Sequence, residues 1–206
     1  MIIAFEGLPG GGKTTTAQLL AARLKAACAT ESTHNHPFLD SVYRDDARHD
    51  LEVELAFLLL HASAWRAIEA AGVTVTDFTP VKDLLFARDT LTDAADLSLF
   101  EAAYQRLNAG ARQAEIAIFL HASPELSLAR VRERYERDEH RRFEQSMELE
   151  RLRRIERQYE AHHDQLGRRV LDLNLQEVLR PGGDEESSKR RVTDAALELL
   201  APHLDP

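Results

Sequence analysis

Apolar residues fill positions 2–5 (Ile2, Ile3, Ala4, Phe5), and the run stops at Glu6-Gly7. A short continuous apolar stretch bounded by glycine predicts a buried strand over 2–6. The period then changes. Ala17, Leu20, Ala21 and Leu24 recur at helical spacing, which predicts a helix over 14–27. A second short strand is predicted over 27–31. Residues 51–70 carry a helical pattern whose apolar positions nearly surround it. That helix is expected to be buried on more than one side, within the fold or against a partner. Gly72 leads into a β-branched strand over 73–77, and Pro80 opens a helix that runs through Lys82 to Ala87. A helix over 93–107 is closed by Asn108-Ala109-Gly110. A strand over 115–121 follows, and Ser123-Pro124 caps a helix that runs into an arginine-rich segment. A charged helix over 144–163 has an apolar seam at Met147, Leu152, Ile155 and Tyr159. The chain closes with a strand over 170–173, a loop over 180–184 and a helix over 188–200.

Strands alternate with helices throughout. This predicts a parallel sheet covered on both faces, a three-layer α/β fold, and 206 residues make one domain over 1–206. Ligands of such sheets sit beyond the carboxyl ends of the strands. That rule selects the stretch from Gly7 to Thr14, Glu31, Asp77 and the segment after Ser123.

Composition narrows the class. Hydrophobic residues are 44% and charged residues 30%, as in a globular chain rather than a disordered one. No apolar run approaches the roughly 18–20 residues that span a bilayer, so no membrane partner is expected. The first residues lack a basic region and a cleavage pattern, so no secretory leader is expected. The lone cysteine, Cys28, excludes an internal disulfide and a cysteine-based zinc site. A cytoplasmic protein is expected. The net charge of −9 disfavours duplex nucleic acid as a partner. Ten of the 28 residues over 130–157 are nevertheless arginine, whereas the whole chain has four lysines. That segment reads as a solvated helix of alternating charge or as a local grip on a small polyanion.

The chemistry concentrates first in Gly7-Leu8-Pro9-Gly10-Gly11-Gly12-Lys13-Thr14, which fits G-x-x-x-x-G-K-[ST] between a predicted strand and a predicted helix. Glycines let the backbone wrap a phosphate without a Cβ clash, and the helix N-terminus adds partial positive charge. Gly7, Gly10, Gly11, Gly12, Lys13, Thr14 and Thr15 are the candidate triphosphate ligands. Lys13 would reach the β/γ-phosphates, and the Thr14 hydroxyl would hold Mg²⁺. No Asn-Lys-x-Asp guanine motif is present.

With these motifs in hand, the chain resembles the deoxyribonucleoside kinase family, and most of all its bacterial deoxyadenosine/deoxyguanosine branch. The resemblance rests on Phe5-Glu6-Gly7 through Thr16, and on Glu31 through Tyr43 with Asn35-His36-Pro37-Phe38-Leu39. It continues over Thr76-Asp77-Phe78 through Phe86-Ala87, Phe119-Leu120-His121-Ala122-Ser123-Pro124, and Arg130 through Glu148. It implies a P-loop kinase fold, a five-stranded parallel sheet flanked by helices. It also implies transfer of the γ-phosphoryl of ATP to the 5′-hydroxyl of a deoxynucleoside, with Mg²⁺. Glu31 then stands at the position of the base that accepts the alcohol proton, and Asp77 at that of the acid near Mg²⁺, although a strand-end Asp also suits a helix N-cap. Many members follow that acid with Arg-Ser. Here Phe78-Thr79 follow; the bacterial purine branch also lacks that arginine, and its absence leaves more transition-state charge to the lid over about 130–143.

Arg130 and Arg134, one helical turn apart, resemble the first two lid arginines. Arg141 matches the next only with an insertion before it; Arg137 or Arg142 could take that role. Tyr43 and Glu148 match the pair that binds the sugar 3′-hydroxyl. Glu54, His61 and Asp83 fall at base-reading positions, with Phe86 or Phe57 stacking on the base. Two facing carboxylates would favour an amino-bearing base, purine first, over thymine. The family is commonly a homodimer through two helices, which here would be those over 51–70 and 93–107. Two other readings are a nucleoside monophosphate kinase, against which Phe78 argues, and a nucleotide sensor without turnover, against which Glu31 and Asp77 argue.

Overall fold

The computed structural model describes residues 1–31, 36–38, 49–137, 144–179 and 184–204. Five strands, all parallel, form one sheet. They are β1 (Ile2–Gly7), β2 (Ala27–Ala29), β3 (Thr74–Thr76), β4 (Ile116–His121) and β5 (Val170–Asn174), in the order β2-β3-β1-β4-β5. β1 lies at the centre with every residue buried, which is why its sequence reads as an unbroken apolar run.

Side chains alternate across the sheet and so choose its two covers. Ile3 and Phe5, with Val75, Ile118 and Leu120, face α1 (Lys13–Leu24) and α8 (Glu185–Leu204) through Leu20, Ala196 and Leu200. Ile2 and Ala4 face the other way, onto Trp65 and Phe78. On that same face, Ala117 and Phe119 pack with Leu85, Ile155 and Tyr159. The second cover is thus α2 (Asp50–Arg66), α3 (Pro80–Thr90) and α6 (Leu149–Ala161). α4 (Ala94–Asn108) packs outside α2 and α3 through Phe100, Leu58, Leu84 and Leu91. The Asp93 carboxylate accepts from the N–H groups of Ala95 and Asp96, a cap that contributes about 1 kcal/mol. The near-cylindrical apolar pattern of α2 therefore reflects burial between the sheet and α4.

Several element ends differ from the sequence expectation. α2 stops at Arg66 rather than residue 70. There the indole N–H of Trp65 donates to the Arg112 carbonyl at 2.7 Å, and Arg66 donates to the Leu107 carbonyl at 3.1 Å. The charged helix begins at Leu149, not residue 144. Met147 N–H closes a turn on the Glu144 carbonyl at 3.0 Å, and Glu148 is extended at the N-cap. The last helix starts earlier and runs longer, because Asp184 accepts from the N–H and hydroxyl of Ser187. A four-residue helix, α7 (Leu175–Val178), was not anticipated. α5 (Pro124–Arg137) carries the first part of the arginine segment, with Ser123 Oγ accepting from Leu126 N–H at its start.

Among the described residues no helix is long and apolar enough to cross a membrane.

Candidate active site

The loop between β1 and α1 is possible only with glycine at two close approaches. Gly7 has φ 133°, and a Cβ there would sit 2.6 Å from the Leu120 carbonyl oxygen. Gly10 has φ 79°, and its Cβ would sit 2.6 Å from the Ser127 carbonyl oxygen on α5. The second approach seats the arginine-bearing helix directly on the phosphate loop. Lys13 Nζ folds back and donates to the carbonyls of Gly7 (2.7 Å) and Leu8 (3.0 Å). Burial and the neighbouring ammonium of Lys82 lower its pKa to about 8, against the pull of Glu6, Glu31 and Asp77. Those carbonyls hold the ammonium where a phosphate would draw it forward.

Glu31 and Asp77 come together beside this loop from the ends of two neighbouring strands. Asp77 is buried, so it must be satisfied. Its Oδ2 accepts from the Thr14 hydroxyl at 2.5 Å, and its Oδ1 from the Glu31 backbone N–H at 2.7 Å. One carboxylate thus ties the first helical turn of α1 to the candidate base. A hydroxyl beside a carboxylate is an all-oxygen donor set of the kind Mg²⁺ takes, so the residues present fit that ion.

The Glu31 side chain projects into the cavity between two cations. Lys82 Nζ donates to its Oε2 at 2.6 Å, and His61 Nε2 lies 3.4 Å from its Oε1. Burial opposes ionisation of Glu31, but Lys82 and His61 outweigh it and hold the carboxyl well below its usual range. His61 Nδ1–H donates to Asp83 Oδ1 at 2.6 Å. Burial works against its charge, yet Asp83 and Glu31 raise its pKa to about 9.

Beneath the loop lies Glu6, fully buried. Its Oε1 accepts from Thr79 N–H (2.6 Å) and the Thr79 hydroxyl (2.7 Å), and its Oε2 from the Tyr159 hydroxyl (2.8 Å). Burial raises its pKa, while Lys13, Thr79, Lys82 and Tyr159 pull the other way. This carboxylate joins β1 to the starts of α3 and to α6, so it fixes the frame from which Lys82 projects.

Beyond Glu31 the cavity has aromatic walls from Phe57 and Phe86 and a polar floor from Glu54, His61 and Asp83. Glu54 is 5% exposed; burial, with Asp83 and Asp50 adding to it, raises its pKa to about 7 against Thr90 and Arg151. Among the described residues, His61 Nε2 and Asp83 Oδ2 are buried without a hydrogen-bond partner. Both residues line the cavity.

The expected residues divide as follows. Gly10, Gly12, Lys13, Thr14, Thr15, Glu31, Glu54, Phe57, His61, Asp83, Phe86 and Arg134 line one cavity. Gly7 and Gly11 shape its loop, and Asp77 supports it from below. Arg130 is half-buried on the face it shares with Arg134 but does not line the cavity, and burial lowers its pKa. Glu148 is exposed and outside the lining. Glu144 lines it instead, paired with Arg134. Tyr43, Arg141 and Arg142 lie outside the described residues.

Sequence reasoning passed over Lys82, Glu144, Met147 and Arg151, which also line the cavity, and Glu6. Lys82 carried the one available signal: it is one of four lysines and adjoins Asp83. Elsewhere, His121 and His163 both hydrogen-bond Asp172 Oδ1, at 2.6 and 2.8 Å, on the exposed side of β4 and β5. That group stands apart from the cavity lining.

A phosphate-wrapping loop, a carboxylate held opposite it and an arginine helix seated on it define a nucleotide-dependent phosphotransferase. The deoxynucleoside kinase family model matches residues 3–196, and the chain belongs to the deoxynucleoside kinase family. It is 26% identical to a deoxyguanosine kinase of Bacillus subtilis, over 98% of this chain and 95% of that one. It is 29% identical to a deoxyadenosine kinase of Dictyostelium discoideum, over 79% of this chain and 65% of that one. Its fold is that of the M. mycoides deoxyadenosine kinase solved with bound dATP. There the TM-score is 0.80 at 17% identity, covering 98% of this chain and all of the other. The chain is accordingly an ATP-dependent kinase of deoxynucleosides.

Proposed function

We propose that the enzyme phosphorylates the 5′-hydroxyl of a purine deoxynucleoside, with Glu31 as base. The observation that carries this reading is the Asp77 carboxylate, which binds Thr14 of the phosphate loop and the Glu31 backbone at once. In this reading Glu31 accepts the alcohol proton as the 5′-oxygen attacks the γ-phosphorus, and the bond from that phosphorus to the bridging oxygen breaks to release ADP. Lys13 and Arg134 stabilise charge on the transferring phosphoryl oxygens. Thr14 and Asp77 would hold Mg²⁺, which when bound neutralises charge on the β- and γ-phosphates. Arg130 backs the lid, and Tyr43 and Glu148 bind the 3′-hydroxyl once substrate is present. Arg141 contributes to the donor side.

The base preference follows from acceptors. Glu54 and Asp83 accept from N1–H and N2–H₂ of guanine or from the adenine amine, and the His61 Nε2–H donor suits O6 or N1. Thymine presents carbonyls to the same carboxylates. The names of the similar kinases, deoxyguanosine and deoxyadenosine, agree with a purine. Expected kcat/KM for deoxyguanosine or deoxyadenosine exceeds that for thymidine by about 10²–10⁴. Glu54→Gln, which restores an amide donor, narrows that ratio. A four-nucleoside product assay measures both, and thymidine as best substrate refutes the reading.

A homodimer through α2 and α4 completes the proposal, in a cytoplasmic enzyme whose single cysteine stays reduced. Leu59 on α2 and Leu99 on α4 are 56% and 55% exposed. Burying such residues together is worth about 1.5–3 kcal/mol each. Sedimentation at micromolar concentration is expected to give a dimer, and Leu59→Glu with Leu99→Glu a monomer.

A further inference from the structure

Away from the cavity, three polar side chains from distant segments meet on one face of the sheet. His121 ends β4, Asp172 lies in β5, and His163 opens the short 3₁₀ turn His163–Gln165 that follows α6. The parallel register sets Phe119 opposite Asp172 and His121 opposite Asn174, so His121, Phe119 and Asp172 share a face. Gly167 carries the turn close to that face. A Cβ there would lie 3.0 Å from the Ala117 backbone nitrogen, and the Arg168 N–H donates to the Ala114 carbonyl at 2.8 Å. His121 Nε2 and His163 Nε2 lie 2.6 and 2.8 Å from the same oxygen, Asp172 Oδ1. One donor atom from each of the three side chains lies within 4.8 Å of the other two.

We propose that His121, His163 and Asp172 form a binding site for a divalent transition-metal ion of the Zn²⁺, Co²⁺ and Ni²⁺ class, distinct from the Mg²⁺ position proposed at the phosphate loop. The alternative is a surface cluster held by hydrogen bonds alone, and three features favour the metal site. The first is the donor set. Two imidazoles and one carboxylate suit these ions, whereas Mg²⁺ and Ca²⁺ take oxygen ligands. Three protein ligands also leave a coordination position for water, in keeping with the exposure of His121 and Asp172. The second is ring orientation. The buried Phe119 ring meets the His121 ring edge-on at 4.6 Å and 77°, and the His163 ring at 5.7 Å and 75°. Asp164 Oδ1 lies 3.6 Å from His163 Nδ1, where a carboxylate commonly holds the far side of a metal-bound imidazole. The third is the lack of another task. Among the described residues, none of the three side chains hydrogen-bonds to the backbone, so the cluster caps no helix and satisfies no buried amide.

An ion bonded at about 2.0–2.2 Å in a tetrahedral site sets its ligand atoms about 3.3–3.5 Å apart. The three donor atoms reach that spacing by small rotations of the side chains. Each imidazole then binds the ion through Nε2 and carries its proton on Nδ1, which for His163 faces Asp164. The bound ion joins the ends of β4 and α6 to β5. It acts as a clip on the fold, and Phe119 links it to α6 through the Tyr159 ring at 5.2 Å.

The test is a titration of the untagged, metal-free chain with Co²⁺ and with Zn²⁺ at constant millimolar Mg²⁺, which occupies oxygen sites and competes poorly for imidazole. Co²⁺ is read by its visible d–d absorption and Zn²⁺ by competition with a chromophoric chelator. One ion per chain is expected to bind with micromolar affinity. His121→Ala and His163→Ala are each expected to weaken that binding by at least about 100-fold, beyond the roughly 10–100-fold that loss of an outer-shell partner costs. Asp172→Asn, which keeps the size of the side chain but not its charge, weakens it as well. At a free Zn²⁺ concentration of about 100 Kd the wild-type Tm rises by about 5–10 °C, and the Tm of the two alanine variants does not move. Circular dichroism of each metal-free variant checks its fold, and three separate substitutions keep the comparison open if one of them misfolds. Wild-type protein that shows no saturable binding below millimolar free metal overturns the site. So does binding of the same strength and stoichiometry in His121→Ala and His163→Ala, which places the ion on other side chains.

Discussion

Glu31→Gln is expected to lower kcat by about 10²–10⁴ while leaving ATP binding and the fold nearly unchanged. The range is what a positioned general base contributes. The amide keeps the size of the carboxylate and can still accept a hydrogen bond from Lys82 through its oxygen. It cannot take the alcohol proton. Because the Glu31 backbone N–H, not its side chain, binds Asp77, the link to Thr14 survives the substitution. Single-turnover measurements with saturating ATP separate the chemical step from product release, and a kcat within about threefold of wild type excludes Glu31 as base. The low pKa imposed on Glu31 by its two cations also sets the form of the profile. A depressed carboxyl stays ionised below the usual carboxylate range, so protonation of Glu31 does not limit wild-type activity at or above the ordinary glutamate value of about 4.3.

Lys13→Met is expected to lower kcat by about 10²–10³, the usual effect of removing one charged donor aimed at the reacting group. Its pH dependence is the sharper observation. In the free enzyme Lys13 has a pKa of about 8, lowered from the ordinary 10.5 by burial and Lys82. A triphosphate favours the charged ammonium. Below pH 8 that form is already present. Above it, binding must first take up a proton, so the KM for ATP rises from pH 8 to 9.5 and proton uptake accompanies binding. Lys13→Arg, whose guanidinium stays charged, keeps a flat KM over that range but a low kcat, because the larger planar group does not fit the carbonyls of Gly7 and Leu8. Isothermal titration in two buffers of different ionisation enthalpy reads the proton directly. No uptake at pH 9 contradicts the assigned electrostatics.

The cations around Glu31 also change how charge is shared in this enzyme. From sequence, the absence of an arginine after Asp77 shifted the burden to the lid. With Lys82 hydrogen-bonded to Glu31, that side of the cleft keeps a positive charge of its own. Arg134 on α5 is paired with Glu144. Both side chains line the cavity.

The sequence by itself determined whatever is written in contiguous residues. The unbroken apolar run of β1, the glycines and Lys13-Thr14 that follow, and the periodic face of α1 are local, so their order in the chain is their order in space. Strand alternation then placed Glu31 and Asp77 at the carboxyl ends of their strands, because a parallel sheet brings those ends to one edge. Glu54 and Asp83, which line the same cavity, were reached through the family resemblance and not through periodicity. Only the tertiary structure decided the partners. Lys82 meets Glu31 across 51 positions and Tyr159 meets Glu6 across 153, and no periodicity encodes such distances. The same holds for the start of α6, where a continuous helical pattern yields at Glu144 because that carboxylate is paired with Arg134. An ion pair that buries a carboxylate overrides local preference, since burying a charge without its counter-ion costs more than a turn of helix contributes.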